Sequence, residues 1–175
     1  MSEVEDFLSQ MLPRFVRAVD AMHNGDPASF VELWSRRDPV TLLGAAASLP
    51  TGWVSVTEGQ KAVASQFSNG TPLDFELIAA DVNGDMAYTV GYERSSVSVH
   101  DGPERPVFLR ATQIYRREDG DWKLVHRHAD PAPVAGSPAT DALKSALTSD
   151  PTAPPRSQQQ HGSGPQRARW AAILR

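Results

Sequence analysis

The stretch Arg110–Pro131, RATQIYRREDGDWKLVHRHADP, decides how the rest of the chain is read. It reads as a long strand, a tight turn at Asp119-Gly120, and a second strand ending in His126-Arg127-His128. Side chains alternate across a strand, so Trp122, Leu124, His126 and His128 are expected on one face. With Asp119-Gly120 as a two-residue loop, Glu118 faces Asp121, Tyr115 faces Leu124 and Gln113 faces His126. That face is aromatic and aliphatic near the turn, then polar and protonatable farther away. Such a gradient suits a pocket wall with an apolar floor and a few placed polar groups.

Composition sets the bounds. The 175 residues suffice for one domain with a real core. With 17 basic and 21 acidic residues the net charge is −4, which argues against nucleic acid as a partner. The chain has no cysteine, so disulfides, thiol catalysis and cysteine metal sites are excluded. The N-terminus, MSEVEDFLSQ, lacks the basic start and apolar run of a secretory signal. The longest weakly apolar run, Val40 to Val56, is broken by Gly44, Pro50, Thr51 and Gly52, so no membrane span is expected. A cytoplasmic location fits these features.

Working outward, residues 3–24 carry apolar side chains at three- and four-residue steps and predict an amphipathic helix, with Ser2 and Glu5 as a capping box. Pro13 removes a donor, which predicts a kink or a short break near Met11–Leu12. Asp26 as cap and Pro27 at the first helical position open a second helix bearing Phe30, Val31, Leu33 and Trp34. Val40–Leu43 reads as a short strand and Gly44–Gly52 as a small-residue loop. Thr57 with Gln60 predicts the start of a third helix, buried through Ala62, Val63 and Phe67 and closed by Asn69-Gly70.

After that the period changes to two. Leu73, Phe75, Leu77 and Ala79 form one side of a strand, Asn83-Gly84 turns the chain, and Met86–Val99 returns with Tyr88, Val90 and Tyr92 on one face. His100 to Pro103 turns again, into the hairpin quoted first. Helices followed by an antiparallel meander are the α+β pattern. Beyond Pro131 the composition shifts. Residues 131–165 hold half of the 14 prolines and the Gln158–Gln160 run, so residues 132–175 are expected to be a flexible tail. Short helices are expected within it at Asp141–Leu147 and Gln166–Arg175.

Two motifs carry a resemblance. One is DPVTLLGA at Asp38–Ala45 with Gly52-Trp53 and Thr57-Glu58-Gly59; the other runs from Tyr115 through the Asp-Gly turn to His126-x-His128. With the element order they resemble the nuclear transport factor two-like superfamily, and within it the SnoaL-like group, over residues 3–131. The second motif is also similar to the calcium/calmodulin-dependent kinase association domain. The resemblance implies a cone: a strongly curved antiparallel sheet around the helices, a pocket inside, and homodimers formed through the outer sheet surface. Ketosteroid isomerases of this fold carry a catalytic Asp where this chain has Leu42, and the kinase association domain has an Arg in the place of Gln113.

His126 and His128 are the expected acid/base pair, since imidazole titrates near neutral pH. Trp53, Gln113 and Tyr115 are the expected ligand contacts. A metal would need about three converging ligands. His126, His128 and Asp130 would share a face only if the strand continued past the constraint of Pro131, so no metal is expected. Trp34, Phe67 and Tyr92 read as core before ligand wall. Glu93 and Arg110 are expected to pair across strands on the face opposite His126, and Arg116, Arg117 and Arg127 to form a solvated or interfacial face. No Ser–His–Asp order, phosphate loop or dinucleotide fingerprint occurs. The resulting expectation is a small-molecule-binding domain, with any catalysis being cofactor-free acid/base chemistry on an apolar or aromatic carbonyl compound. The alternative is a non-enzymatic dimerisation or regulatory domain.

Overall fold

The computed structural model describes residues 2–44 and 51–133. The chain divides into two units, residues 1–132 and 133–175. Of the second, only Pro133 is among the described residues; the helices expected at 141–147 and 166–175 lie outside them, as does most of the loop after Gly44.

Helix α1 spans Glu3–His23 and opens with the expected capping box: Glu5 N–H donates to Ser2 Oγ and Ser2 N–H to the Glu5 carboxylate. The helix runs unbroken through Pro13, so no break occurs there. Ser9 and Pro13 both lie on the exposed side, so the carbonyl of Ser9, deprived of its i+4 donor, is left facing water rather than protein. Phe7, Met11, Phe15, Val19 and Met22 form the buried stripe.

Helix α2 spans Ala28–Leu33, one residue later than expected; Pro27 occupies the cap while the Asp26 carboxylate accepts from Ala28 N–H at 2.9 Å. Strand β1 is Thr41–Gly44. Helix α3 spans Trp53–Ala64 and therefore starts one turn before Thr57. Its cap comes from a separate segment, because Trp53 N–H donates to the Asp38 carboxylate at 3.0 Å. The Thr57 hydroxyl instead donates back to the carbonyls of Trp53 and Val54. The buried side of α3 is Val56, Thr57, Gln60 and Ala64, not the expected Ala62 and Val63.

The strands that follow are β2 (Phe67–Ser68), β3 (Asp74–Asn83), β4 (Met86–Val99), β5 (Arg105–Glu118) and β6 (Asp121–Pro131). They form a six-stranded sheet in the order β1-β6-β5-β4-β2, with β3 also paired to β4. All pairs are antiparallel except β1 with β6. The α+β architecture, with N-terminal helices against a strongly curled sheet, is thus the one expected.

Two irregularities bend the sheet. In β3 the register shifts between Leu77 and Ala79, so Ala79 turns outward and leaves the row begun by Leu73. In the β5–β6 pair Tyr115 faces Leu124 but Ile114 faces His126, so Val125 is an extra residue in β6. One inserted residue exchanges the faces of every side chain beyond it. Trp122 and Leu124 point inward, and so do Arg127 and Ala129, whereas His126 and His128 lie on the other face. Gln113 consequently faces Arg127, not His126.

The core forms between α1 and the concave face. The Phe7 ring meets Tyr115 and Trp122 edge-on at 5.3 and 5.1 Å, and Phe15 meets Phe30 and Phe75. Gly91 lets β4 approach β3 closely: a Cβ there would stand 2.6 Å from the carbonyl oxygen of Glu76 and 2.7 Å from the Phe75 ring. Arg14 ties α1 to β6 through Asp121 at 2.7 Å, and this pairing is the main reason the Asp121 carboxyl is held down to about 2 from an ordinary 3.8. A depressed carboxyl stabilises the fold above its ordinary pKa and loses that contribution as pH falls through the folded one. The stability gap between wild type and Asp121→Asn, measured by urea unfolding, is therefore expected to close as pH falls from about 4 to about 2. A gap constant over that range would contradict the pairing.

Candidate functional site

The inner face of the sheet is organised in rows across the strands. One row is Thr89, Gln113, Arg127 and Leu42, each directly opposite the next in register. The adjacent row is Gly91, Ala111 and Ala129. Glu93 reaches from the row beyond, across these small side chains, to Arg127.

The result is a continuous buried polar chain. Arg127 grips both oxygens of Glu93, at 2.6 and 2.8 Å. Gln113 donates its amide N–H to Glu93 at 3.2 Å and accepts the Thr89 hydroxyl on its amide oxygen. Glu93 is 3% exposed, Arg127 7% and Gln113 not at all. Burial opposes the charge on Arg127, but pairing with Glu93 outweighs it and raises the guanidinium above its ordinary pKa. The guanidinium also stands 5.6 Å from the centre of the Phe15 ring. Tyr115, buried beside Thr89, has its phenol pushed well up by desolvation and stays neutral.

His23, at the last turn of α1, belongs to the same interior. It is buried, with Nδ1 3.4 Å from the Ser95 hydroxyl and its ring edge-on to Phe67. Desolvation lowers its pKa, Glu93 raises it, and Arg127 lowers it, with a net fall. The helix end is fixed in place by the turn at Gly70, where a Cβ would stand 2.5 Å from the His23 Cβ, and by Asn24, which exchanges hydrogen bonds with the Gly70 backbone.

The structure divides the residues that the sequence groups together. Gln113 and Tyr115 are inside. Trp53 is half-buried against the core at the start of α3, with the Arg36 guanidinium 5.5 Å above its ring. His126 and His128 stand on the opposite face of the sheet. His126 Nδ1 lies 2.7 Å from the Thr41 hydroxyl, and its pKa is lowered by burial and by neighbouring His128, which is exposed. Arg110 pairs with Asp130 through two 2.8 Å bonds rather than with Glu93, because the same register places those two opposite each other. Arg127, expected on a solvated or interfacial face, is the buried cation of the site. Among the described residues no three His, Cys, Asp or Glu side chains converge as a metal site would require.

His23, Thr89, Glu93 and Arg127 are the site residues that sequence reasoning missed. One signal was available for Arg127: Leu124-Val125 is an apolar doublet inside an alternating strand, and both residues are buried. In β6 the inserted residue falls at this doublet, and the faces reverse beyond it.

A buried ion pair costs most when one partner is lost. Arg127→Met is expected to destabilise the fold by ~3–5 kcal/mol in urea unfolding, and the double variant Arg127→Met/Glu93→Leu to recover most of that loss. Additive losses from the two substitutions would show that the pair is not the unit described.

The SnoaL-like domain family profile matches residues 14–134. No curated protein matches the sequence. Among solved structures, the chain is similar to a nuclear transport factor 2 (NTF2-like) superfamily protein from Salmonella enterica serovar Typhimurium, at 15% identity and a TM-score of 0.61, covering 77% of this chain and 94% of that one. It is similar to a ketosteroid isomerase-like protein from Erwinia carotovora, at 12% identity and a TM-score of 0.60, over 73% and 97% of the two chains. A candidate dehydratase of the NTF2-like family from Streptomyces avermitilis shares 21% identity at a TM-score of 0.59, over 74% and 99%. At such identities the structures speak for the fold alone. The profile match covers well over half of the chain, which therefore belongs to the SnoaL-like domain family.

Proposed function

We propose that this domain binds a small molecule in the interior of its cone, against the chain Thr89–Gln113–Glu93–Arg127. The observation that carries the reading is the burial of that chain, with His23 buried against Ser95, two positions along β4 from Glu93. Packing alone gives no reason to keep an ion pair there, since apolar residues of similar volume are often as stable or more so. Polar groups converging among aromatic walls are what a ligand site needs.

The proposed chemistry is cofactor-free acid/base catalysis on an apolar or aromatic carbonyl compound. His23 moves the proton, being neutral near pH 7 and therefore able to accept one. Glu93, with both oxygens held by Arg127, orients rather than abstracts. Gln113 and Tyr115 bound the ligand. A catalytic role for His126 and His128 would require substrate on the outer face beside Thr41, and we place the proton transfer with His23 instead.

Native mass spectrometry of protein purified gently from its own host is expected to show an organic adduct, absent from a Gln113→Leu variant that folds. If the wild type carries an adduct and Gln113→Leu retains it fully, the ligand lies elsewhere. Once turnover of a substrate is in hand, His23→Gln is expected to lose activity ~100-fold or more, and His126→Ala and His128→Ala to keep it. The reverse pattern would move the chemistry to the outer face.

A second reading, assembly through the outer sheet face, is favoured by one observation. Ile78, Met86 and Tyr88 are 55, 43 and 40% exposed there. The last two border a depression of about 260 Å³, together with Asp81, Asn83, Thr112 and Ile114. Exposed apolar groups gathered in this way mark interaction surfaces. Sedimentation of the full chain is expected to give a dimer that Tyr88→Glu dissociates; a monomer in both cases would remove this reading.

A further inference from the structure

Among the described residues, one buried side-chain polar atom has no hydrogen-bond partner: Nε1 of Trp34. Trp34 is 1% exposed and closes α2. Its backbone bridges Leu124 in parallel, and Ser35 N–H donates to the Leu124 carbonyl at 2.9 Å. Leu124 faces Tyr115, and Tyr115 faces Ala87. Trp34 therefore extends an inner row that runs beside the row of Thr89, Gln113 and Arg127.

An indole N–H can only donate. Left unmade inside a protein, such a bond costs more than a satisfied one contributes. The groups of the buried polar chain are committed to one another: the Thr89 hydroxyl to Gln113, the Gln113 amide to Glu93, and the Glu93 carboxylate to Arg127. Among the described residues Trp34 Nε1–H is the buried side-chain donor without a partner, and Trp34 belongs to the hydrophobic core cluster that includes Phe7, Phe30, Val40 and Leu124.

We infer that Trp34 Nε1–H is the donor that receives the oxygen of the bound molecule, and that this oxygen is an uncharged acceptor, a carbonyl or ether, on an otherwise apolar frame. The inference rests on the interior binding site proposed above. An uncharged donor among hydrocarbon discriminates for a neutral acceptor, because an anion brought there would lose its hydration for a single bond. A hydrocarbon of the same shape would leave the donor unpaired.

The matched pair 1-tetralone and tetralin tests this on the full-length protein, since the two differ chiefly in one oxygen. The ketone is expected to bind about fivefold or more tightly than the hydrocarbon, the size of one uncharged hydrogen bond. That preference is expected to vanish in Trp34→Phe, which removes the N–H and keeps most of the ring. In the wild type, with indole resonances assigned through bonds, the Trp34 N–H signal is expected to shift with tetralone and not with tetralin. This readout holds whether or not the variant folds. Binding of both compounds without preference, a preference that persists in Trp34→Phe, or a Trp34 signal indifferent to the ketone would overturn the inference alone. Failure of both compounds to bind would overturn the interior site together with it.

Discussion

Val125 is the residue on which the interior depends. Strand β6 contains one more residue than β5 can pair, and the surplus falls between Leu124 and His126. Before it, β6 sends Trp122 and Leu124 into the core; after it, the strand sends Arg127 and Ala129. Without that insertion the inner face would receive His126 and His128, and Arg127 would stand outside. The bend also fits the two neighbours of β6. The Trp34 bridge lies on one side of the bulge and strand β1 on the other, so one strand edge serves two segments.

The buried ion pair follows from this geometry. Arg127 arrives opposite Gln113, and Glu93 arrives from β4, across a row of glycine and alanine. Either charge buried alone in such surroundings would be costly, and each fixes the other's direction. Gln113 completes the chain because its two ends differ: the oxygen takes the Thr89 hydroxyl and the nitrogen serves the carboxylate. This interior specifies rather than merely fills. Leu42, buried, lies directly opposite Arg127 in the parallel register.

Much of the fold was legible in the sequence. The capping box at Ser2 and Glu5, the change of period after Gly70 and the Asp119-Gly120 turn all mark local structure that tertiary packing left in place. What failed were inferences that propagated a local rule past an irregularity. Strict alternation carried Trp122 and Leu124 correctly and then misplaced every residue beyond Val125. Thr57 looked like a cap because the true one, Asp38, lies 15 residues away and meets Trp53 only in three dimensions. Pro13 looked like a break because sequence alone did not show that its side of α1 faces solvent. Of the candidate site, Gln113 and Tyr115 were legible from hairpin register near the turn. His23, Glu93 and Arg127 were not, since their meeting depends on three elements and one inserted residue.

The facing of the histidines tests this account most directly, and a soluble gadolinium chelate reads it in one spectrum. Relaxation of the imidazole ring protons is expected to be strong for His128, intermediate for His126 and negligible for His23. Strong relaxation at His23 with protection of both His126 and His128 would mean that β6 keeps its alternation through Val125, and that the buried Glu93–Arg127 pair does not exist.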